Sequence, residues 1–412
     1  MYIIFKLSKD SFFWYNLVGD VMNVFVIGGG ASGMAAAITA KRCGNDVTIL
    51  EKNNNLGKKL LLTGNGRCNY FNSDMSLSNF YSSSDVSKFI NGINLNKLNE
   101  FYDSIGLLPR VKDGYYYPYS NTATAVQNSL VKTISVLGIK IINEEVIDVS
   151  KEDKFILRTN ENTYKCDKVV LATGGLTYPK TGSTGFGYDI LKKFGHNIIK
   201  PKAALVPLLT DENVRDWAGI RVNVDASLYV DKTLVATQSG EAQLTESGIS
   251  GICIMNLSRF VDLTKENTLS INFLPIIEDL YDFIDNRNKK LKGRTIIELL
   301  EMVINYKLLY FIFRKLHINT DSRWDNLTNL EKEVLIDSIN NYKLNIVSVK
   351  GLEYGETTCG GVRLDEITNS CESVKVKGLY VTGELIDIDA VCGGYNLTNA
   401  FITGILAGES ND

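Results

Sequence analysis

The spacing of apolar residues near the N-terminus predicts alternating strands and helices. A short apolar run at 23–27 predicts a strand, and after a cluster of glycines a helix-like stretch runs from Ala35 to Cys43. Gly44 fits the C-terminal cap of that helix, and the apolar run 46–50 predicts a second strand. The order strand, helix, strand predicts an α/β fold with a parallel sheet.

A different pattern begins near Ala204. Apolar residues alternate with polar ones at Val222, Val224, Ala226, Leu228 and Val230. Asp231 and Lys232 offer a turn into the run 234–237, so this segment predicts a half-buried hairpin. Pro275 ends a predicted strand at 269–274, helical spacing dominates 276–340, and the run 344–349 predicts a returning strand.

Composition narrows the function classes. A chain of 412 residues has room for roughly two or three domains. Its formal charge of −3 argues against binding to nucleic acid or to an anionic membrane. With only His196 and His317 present and no C-x-x-C pair among seven cysteines, we expect no metal site. We therefore expect reduced thiols and a cytoplasmic protein. Residues 1–21 are expected to form an extension or a docked tail, and the alternative is an interfacial anchor.

The glycines after the first strand have the spacing G-x-G-x-x-G at Gly28, Gly30 and Gly33. The first permits a tight turn, the second lets the backbone approach a pyrophosphate, and the third lets the helix pack on the strand. Ala31 and Ser32 would lie at the helix N-terminus, which favours anions. Glu51 ends the second strand and would accept hydrogen bonds from a ribose, which disfavours a 2′-phosphate. A glycine turn made for packing alone is the alternative; otherwise the pattern favours FAD or NAD.

The choice between FAD and NAD depends on later segments. Residues 146–165 predict a three-stranded meander that returns to the strand VVLAT, followed by Gly174 and Gly175. Near the C-terminus a strand ends at Thr382, Gly383 and Glu384, and GGYN at 393–396 opens a last helix. This arrangement resembles the FAD-binding half of the glutathione reductase superfamily. The resemblance implies that the acid after T-G holds the FAD and that the last helix points its N-terminus at the flavin.

Five ordered motifs resemble the aminoacetone oxidase family of bacterial flavoproteins. They are GGGASGMAAAITA, GKKLLLTGNGRCNYFN, TYPKTGSTGFGY, SGEAQLTESGISGICIMNLSR and GLYVTGELIDIDAVCGGYNLTNAF. The resemblance implies a Rossmann-like FAD-binding domain, with a parallel sheet and a β-meander in three layers, interrupted by an insert with a β-barrel-like part and a helical part. Family members are associated with aminoacetone oxidation and with reduction of unsaturated 3-oxo bile acids. Phe186 stands where the family's T-G-D-G-Y motif has an aspartate, which argues against a polar role at this position.

The patterns and the resemblance together predict the domain limits and the residues that bind FAD. The predicted parts are 1–21 (extension), 22–203 (FAD-binding domain, first part), 204–275 (barrel-like part), 276–341 (helical part), 342–351 (return strand) and 352–412 (FAD-binding domain, second part). The predicted FAD-binding residues are Gly28, Gly30, Ala31, Ser32, Gly33, Glu51, Lys52, Lys59, Gly64, Gly66, Arg67, Cys68, Val146, Thr173, Gly174, Gly383, Glu384, Gly394, Tyr395 and Asn396.

No catalytic residue is fixed by the sequence. Arg67 is a candidate cation for reduced flavin or a substrate oxygen, or else part of an ion pair that fixes its loop. Tyr178 is a candidate proton donor or a wall residue, and Tyr395 stands where backbone N–H groups of the last helix would matter more than side chains. Cys68 and His196 fit packing better than catalysis.

The sequence thus predicts an FAD-dependent oxidoreductase that transfers a hydride through flavin N5 to or from a small organic substrate. The reaction would reduce a conjugated double bond or oxidise a small amine or alcohol. Because no second strand-linked G-x-G-x-x-G is present, NAD(P)H would be a transient donor at most. The alternative is a flavin-holding binding or regulatory protein, or an accessory to RNA modification, without turnover of its own. The oligomeric state is left open.

Overall fold

The computed structural model describes residues 21–409. The predicted extension at residues 1–21 lies outside the described residues, apart from Val21.

The first part of the chain supplies most of an α/β domain. Its strands are β1 Asn23–Ile27, β2 Asp46–Leu50, β3 Phe71–Asn72, β4 Phe80–Tyr81, β5 Pro109–Lys112, β6 Tyr115–Pro118, β7 Lys140–Ile142, β8 Val146–Lys151, β9 Phe155–Thr159, β10 Thr163–Cys166, β11 Lys168–Leu171 and β12 Ile198–Ala204. Its helices are α1 Ala31–Arg42, α2 Thr63–Gly66, α3 Ser87–Asn91, α4 Leu95–Ser104, α5 Ala123–Val136 and α6 Phe186–Lys193.

The middle of the chain forms a separate barrel with helices. The strands are β13 Leu208–Thr210, β14 Arg221–Val230, β15 Thr233–Thr245, β16 Gly248–Ser250, β17 Asn267–Asn272 and β18 Tyr342–Val349. The helices are α7 Ile252–Leu257, α8 Leu280–Lys290, α9 Ile296–Leu300, α10 Tyr306–Lys315 and α11 Asn329–Asn340. The strands close in the order β13-β16-β15-β14-β17-β18, and β18 pairs back to β13.

The end of the chain returns to the first domain with β19 Thr357–Val362, β20 Leu379–Val381, β21 Asp389–Ala390 and α12 Tyr395–Glu409. The central sheet has the order β20-β11-β1-β2-β7, and every neighbouring pair is parallel. The β8–β10 meander contacts this sheet through Phe25 and Tyr164, whose ring centroids lie 5.5 Å apart. The predicted fold class, a Rossmann-like domain interrupted by a barrel and helices, is confirmed.

Two elements show how the sequence pattern forms this structure. Asp231 and Lys232 both have positive φ, of 47° and 64°, as the tight turn of a β-hairpin requires. The helix predicted at Ala35 begins earlier, at Ala31. Gly33 lies inside the first helical turn, where its missing side chain lets that turn approach the Gly28 carbonyl just after β1.

The buried apolar side chains form two hydrophobic clusters. One fills the space around the central sheet, and the other fills the barrel and its helices, with Trp217 and Trp324 fully buried. The barrel strands β13–β17 fall within 208–272 and the helices α8–α11 within 280–340, while the predicted domain limits themselves stay a prediction. Within residues 21–409, none of the helices combines the length and apolarity that a membrane crossing needs.

Candidate functional site

A long cavity begins at the carboxyl ends of β1, β2 and β11. It holds about 1140 Å³ of space, including the part open to solvent. The carboxyl edge of a parallel sheet is where α/β proteins bind ligands. The predicted residues that line the cavity are Gly28, Gly30, Ala31, Ser32, Glu51, Lys52, Lys59, Val146, Thr173, Gly174, Gly383, Glu384 and Asn396.

The three motif glycines have different surroundings. A Cβ on Gly28, where φ is +101°, would lie 2.4 Å from the carbonyl oxygen of Ala172. A Cβ on Gly33 would lie 1.9 Å from the carbonyl oxygen of Gly28. A Cβ on Gly30 would meet no atom within 4 Å, although Gly30 lines the cavity. Gly28 and Gly33 are therefore required by backbone packing, whereas Gly30 leaves space beside the cavity.

The N-terminus of α1 forms one wall of the cavity. Ala31 and Ser32 lie in its first turn and line the cavity, and the first backbone hydrogen bond inside the helix runs from Met34 N–H to the Gly30 carbonyl, at 2.9 Å. N–H groups ahead of that bond have no partner within a helix, and the helix dipole adds positive potential at this end. The geometry fits a pyrophosphate.

Glu51 is held rigidly at the end of β2. Its Oε2 accepts the Gly29 N–H at 2.7 Å, and its Oε1 accepts the Asn53 N–H at 2.8 Å and Asn53 Nδ2 at 2.7 Å. The side chain is buried but lines the cavity. A carboxylate has about four lone-pair positions, so these three bonds leave acceptor capacity for a ribose hydroxyl.

Polar atoms that need a partner also lie in the cavity wall. Lys59 Nζ contacts Glu384 Oε1 at 2.6 Å and donates to Thr177 Oγ1 at 2.8 Å. Among the described residues, Glu384 Oε2 and Thr173 Oγ1 are buried with no hydrogen-bond partner. Buried polar atoms are normally hydrogen-bonded. Since both residues line the cavity, a polar ligand such as FAD fits these unpaired groups.

The start of α12 also faces the cavity. Asn396, Leu397 and Ala400 line it. The Asn396 side chain bonds both the N–H and the carbonyl of Ala390, each at 3.0 Å, so it is engaged in fixing the preceding loop. The helix therefore offers its N-terminal dipole to the cavity rather than the Asn396 amide.

Residues 22–410 match the model of a protein family described as HI0933-like protein Rossmann domain. The chain belongs to the HI0933-like family. It is 33% identical over 400 residues to the 3-dehydro-bile acid delta(4,6)-reductase of Clostridium scindens, covering 93% of this chain and 98% of that relative. It is 27% identical over 390 residues to the ribosomal RNA dihydrouridine synthase of Haemophilus influenzae, covering 90% and 94%.

A solved structure, the 3-ketosteroid-delta4-(5alpha)-dehydrogenase of Rhodococcus jostii RHA1, matches with 15% identity and a TM-score of 0.49 over 96% of this chain and 98% of that one. A likeness at this level decides nothing about function. The prediction of an FAD-dependent oxidoreductase is confirmed at the level of the HI0933-like family. The narrower aminoacetone oxidase assignment stays a prediction.

In this HI0933-like protein, some predicted residues lie outside the cavity wall. They are Gly33, Gly64, Gly66, Arg67, Cys68, Gly394 and Tyr395. Arg67 is exposed; its Nε donates to the Gly64 carbonyl at 3.1 Å and its guanidinium lies 5.4 Å from the centre of the Tyr117 ring. These contacts, rather than the ion pair considered from the sequence, hold the loop within the described structure.

The other catalytic candidates are also set back from the cavity. Cys68 is fully buried, and burial raises the pKa of its thiol to about 12. Tyr395 is buried, accepts a hydrogen bond from Asn79 Nδ2 at 3.2 Å, and burial raises its pKa to about 12. The Tyr178 ring lies 5.9 Å from Lys59 Nζ, just behind the wall. Their predicted roles stay predictions.

Sequence reasoning missed several wall residues. Asn53 and Glu356 line the cavity, and so does Phe186, the first residue of α6. Phe186 stands where a polar family residue was expected, so the wall is apolar at this point. Glu356 has no sequence signal, because it lies alone between a short 3₁₀ helix, Leu352–Tyr354, and β19.

Proposed function

We propose that the protein uses FAD to reduce a carbon–carbon double bond conjugated with a carbonyl in a small organic substrate. The observation that carries the cofactor is the single cavity joining the α1 N-terminus, Glu51 and the α12 N-terminus. The reaction type is supported by the relatives. The names of the reductase and of the dihydrouridine synthase both describe loss of a double bond next to a carbonyl.

Residues at different positions in the cavity would bind different parts of FAD. The α1 N-terminus would hold the pyrophosphate and Glu51 a ribose, as the N–H groups and the carboxylate there allow. The positive N-terminal end of α12 would favour negative charge on a flavin ring bound in the cavity. FAD supplies the two-electron chemistry when it is bound.

The proposal also includes the source of the electrons that reduce FAD. We expect NAD(P)H to act as a transient donor on the open side of the cavity. We also expect a small-molecule substrate and, because the formal charge is −3, no nucleic-acid or membrane partner. The odd number of cysteines, seven, leads us to expect reduced thiols and a cytoplasmic location. Oxidation of a small amine such as aminoacetone is the alternative reaction by the same hydride route.

The test is anaerobic and uses the purified holoprotein. It should be yellow, release FAD on denaturation, and be bleached by NADH or NADPH in a stopped-flow mixer. The reduced protein is then mixed with a 3-oxo-Δ4 steroid, with simpler enones, with uridine and with ribosomal RNA, and flavin reoxidation is followed.

Reoxidation by enones with formation of the saturated product is the expected result. Reoxidation only by RNA would replace the small-molecule proposal with RNA modification. Reduction by aminoacetone together with inert enones would favour amine oxidation. A flavin that no donor reduces would favour a flavin-holding binding protein.

A further inference from the structure

Glu356 is an acidic side chain of the cavity wall that neither the motif nor the proposed cofactor contacts explain. It enters from the segment before β19 and lines the cavity with Lys59, Thr63 and Asn396. Its backbone is fixed, because Glu356 N–H donates to the Leu205 carbonyl at 3.2 Å and the flanking Gly355 and Thr357 are buried. The carboxyl group is therefore held in place at the end of the cavity where α12 begins.

The groups around this carboxyl leave it without a cation. Within residues 21–409 no lysine or arginine nitrogen lies within 4 Å of it, since Lys59 pairs with Glu384 instead. Its direct partner is Cys392, whose Sγ lies 3.9 Å from Glu356 Oε2 as donor. Lys59 and Tyr178 are the other titratable groups that face it.

This setting favours the neutral acid. The side chain is exposed to the cavity, but desolvation by the surrounding protein still raises its pKa above the ordinary 4.5. The Cys392 thiol and the Lys59 charge offset the rise only in part. Cys392 itself holds its proton far more tightly, because burial and Glu356 raise its pKa to about 12. A carboxyl group whose pKa is raised keeps its proton to a higher pH than a free carboxyl group does, as a proton donor in a cavity requires.

We propose that Glu356 is the proton donor in the double-bond reduction, an inference that rests on the proposed function. The substrate carbon β to the carbonyl would gain the hydride that reduced FAD supplies when it is bound, and the electron pair of the double bond would move toward the α carbon. The O–H bond of Glu356 would break and the α carbon would gain the proton. The substrate would thus be reduced by two electrons, with FAD as their source, and the Glu356 carboxylate would regain a proton from water.

The experiment compares Glu356→Gln with a matched control, Glu353→Gln, in the holoprotein. Glu353 is an exposed residue on the preceding 3₁₀ helix. FAD content and thermal midpoint show whether each variant folds and binds its cofactor. Each is then reduced anaerobically and mixed with an enone that reoxidises the wild type.

Glu356→Gln should reoxidise roughly 100-fold more slowly or worse, while Glu353→Gln keeps the wild-type rate. The wild-type rate should fall as pH rises through the raised pKa of Glu356, because the protonated form is the active one. That dependence should vanish in Glu356→Gln. Glu356→Asp, which keeps the acid, should recover part of the rate.

A second readout does not depend on turnover. Infrared difference spectra of the oxidised holoprotein across a pH titration should show, in wild type and Glu353→Gln, the band of a carboxyl group that loses its proton above pH 4.5, and should not show it in Glu356→Gln. The same band in Glu356→Gln, or an unchanged reoxidation rate in that variant, overturns the role of Glu356 alone. If no enone reoxidises the wild type, the proposed function is wrong and the proton-donor role falls with it.

Discussion

The glycine motif shows how far single residues could be predicted. The sequence predicted a distinct role for each of Gly28, Gly30 and Gly33, and the surroundings of their missing side chains follow the same division. Glu51 was predicted from its place at the end of β2. Glu356 was not, because a lone acid in a connecting segment has neither period nor motif, and only folding brings it beside Lys59 and Asn396.

Gly30→Val should separate cofactor binding from folding. Its Cβ meets no protein atom within 4 Å, so the apoprotein should lose only about 1 kcal/mol, the usual penalty for a poor N-cap residue. FAD affinity should fall at least about tenfold, equivalent to 1.4 kcal/mol, because the side chain projects beside the cavity. Flavin fluorescence titration and apoprotein melting measure the two effects.

Gly33→Val is the matched comparison. Its Cβ would collide with the Gly28 carbonyl, so this variant should fail to fold rather than fold without FAD. A folded Gly30→Val protein with full flavin content would contradict the role given to Gly30.

Between elements, buried polar contacts hold segments that hydrophobic periodicity alone does not position. His196, after α6, lies between Glu366 and Ser373, with Nδ1 2.9 Å from Glu366 Oε2 and Nε2 2.8 Å from Ser373 Oγ. Ser373 Oγ also accepts the N–H groups of Lys375 and Val376, so its own hydrogen goes to His196. The imidazole is therefore neutral and donates from Nδ1. The sequence indicated a packed histidine, but its partners lie about 170 residues away and carry no local signal.

This contact should make folding sensitive to acid. Burial would raise the pKa of Glu366, but hydrogen bonds from Lys375, Asn197 and His196 outweigh it and lower the pKa from 4.5 to about 2. The unfolded chain then binds the proton more tightly, so this stabilisation is complete above pH 4.5 and is lost as pH falls toward 2. Burial lowers the pKa of His196 below 6.5, which acts in the same direction at higher pH.

Glu366→Gln should therefore destabilise the apoprotein by at most about 3 kcal/mol near pH 6. The difference from wild type should shrink as pH is lowered from 4.5 toward 2. Denaturant unfolding at several pH values measures it, with the exposed Glu152→Gln as control. A difference that is independent of pH would exclude the ionised carboxylate as its source.

The described residues form two hydrophobic cores, which polar and aromatic contacts join. Arg259 of the insert forms two hydrogen bonds to Asp389 of β21, at 2.8 and 2.9 Å, and its guanidinium lies 4.1 Å from the centre of the Tyr81 ring. Asp389 is almost fully buried. The sequence predicted an inserted barrel and helices, but not the contacts that fix the insert on the first domain, since these join residues 130 positions apart.

Arg259→Met should destabilise the protein by about 3–5 kcal/mol, because it leaves the Asp389 carboxylate buried without its partner. Asp389→Leu combined with Arg259→Met should cost much less than the sum of the two single changes. A double-mutant cycle from denaturant unfolding measures this coupling. Strictly additive effects would show that the pair contributes nothing to the junction.

The path of the chain also sets the order in which the parts can be completed on the ribosome. The barrel closes when β18, ending at Val349, pairs with β13, whereas the central sheet waits for β20 at Leu379–Val381. The cavity wall includes residues that follow β20 in the chain, between Glu384 and Ala400. The insert can thus mature while the domain around it is unfinished, although domains usually fold from the N-terminus onward during synthesis. A complete cofactor cavity therefore requires residues that are synthesised after the last strand of the barrel.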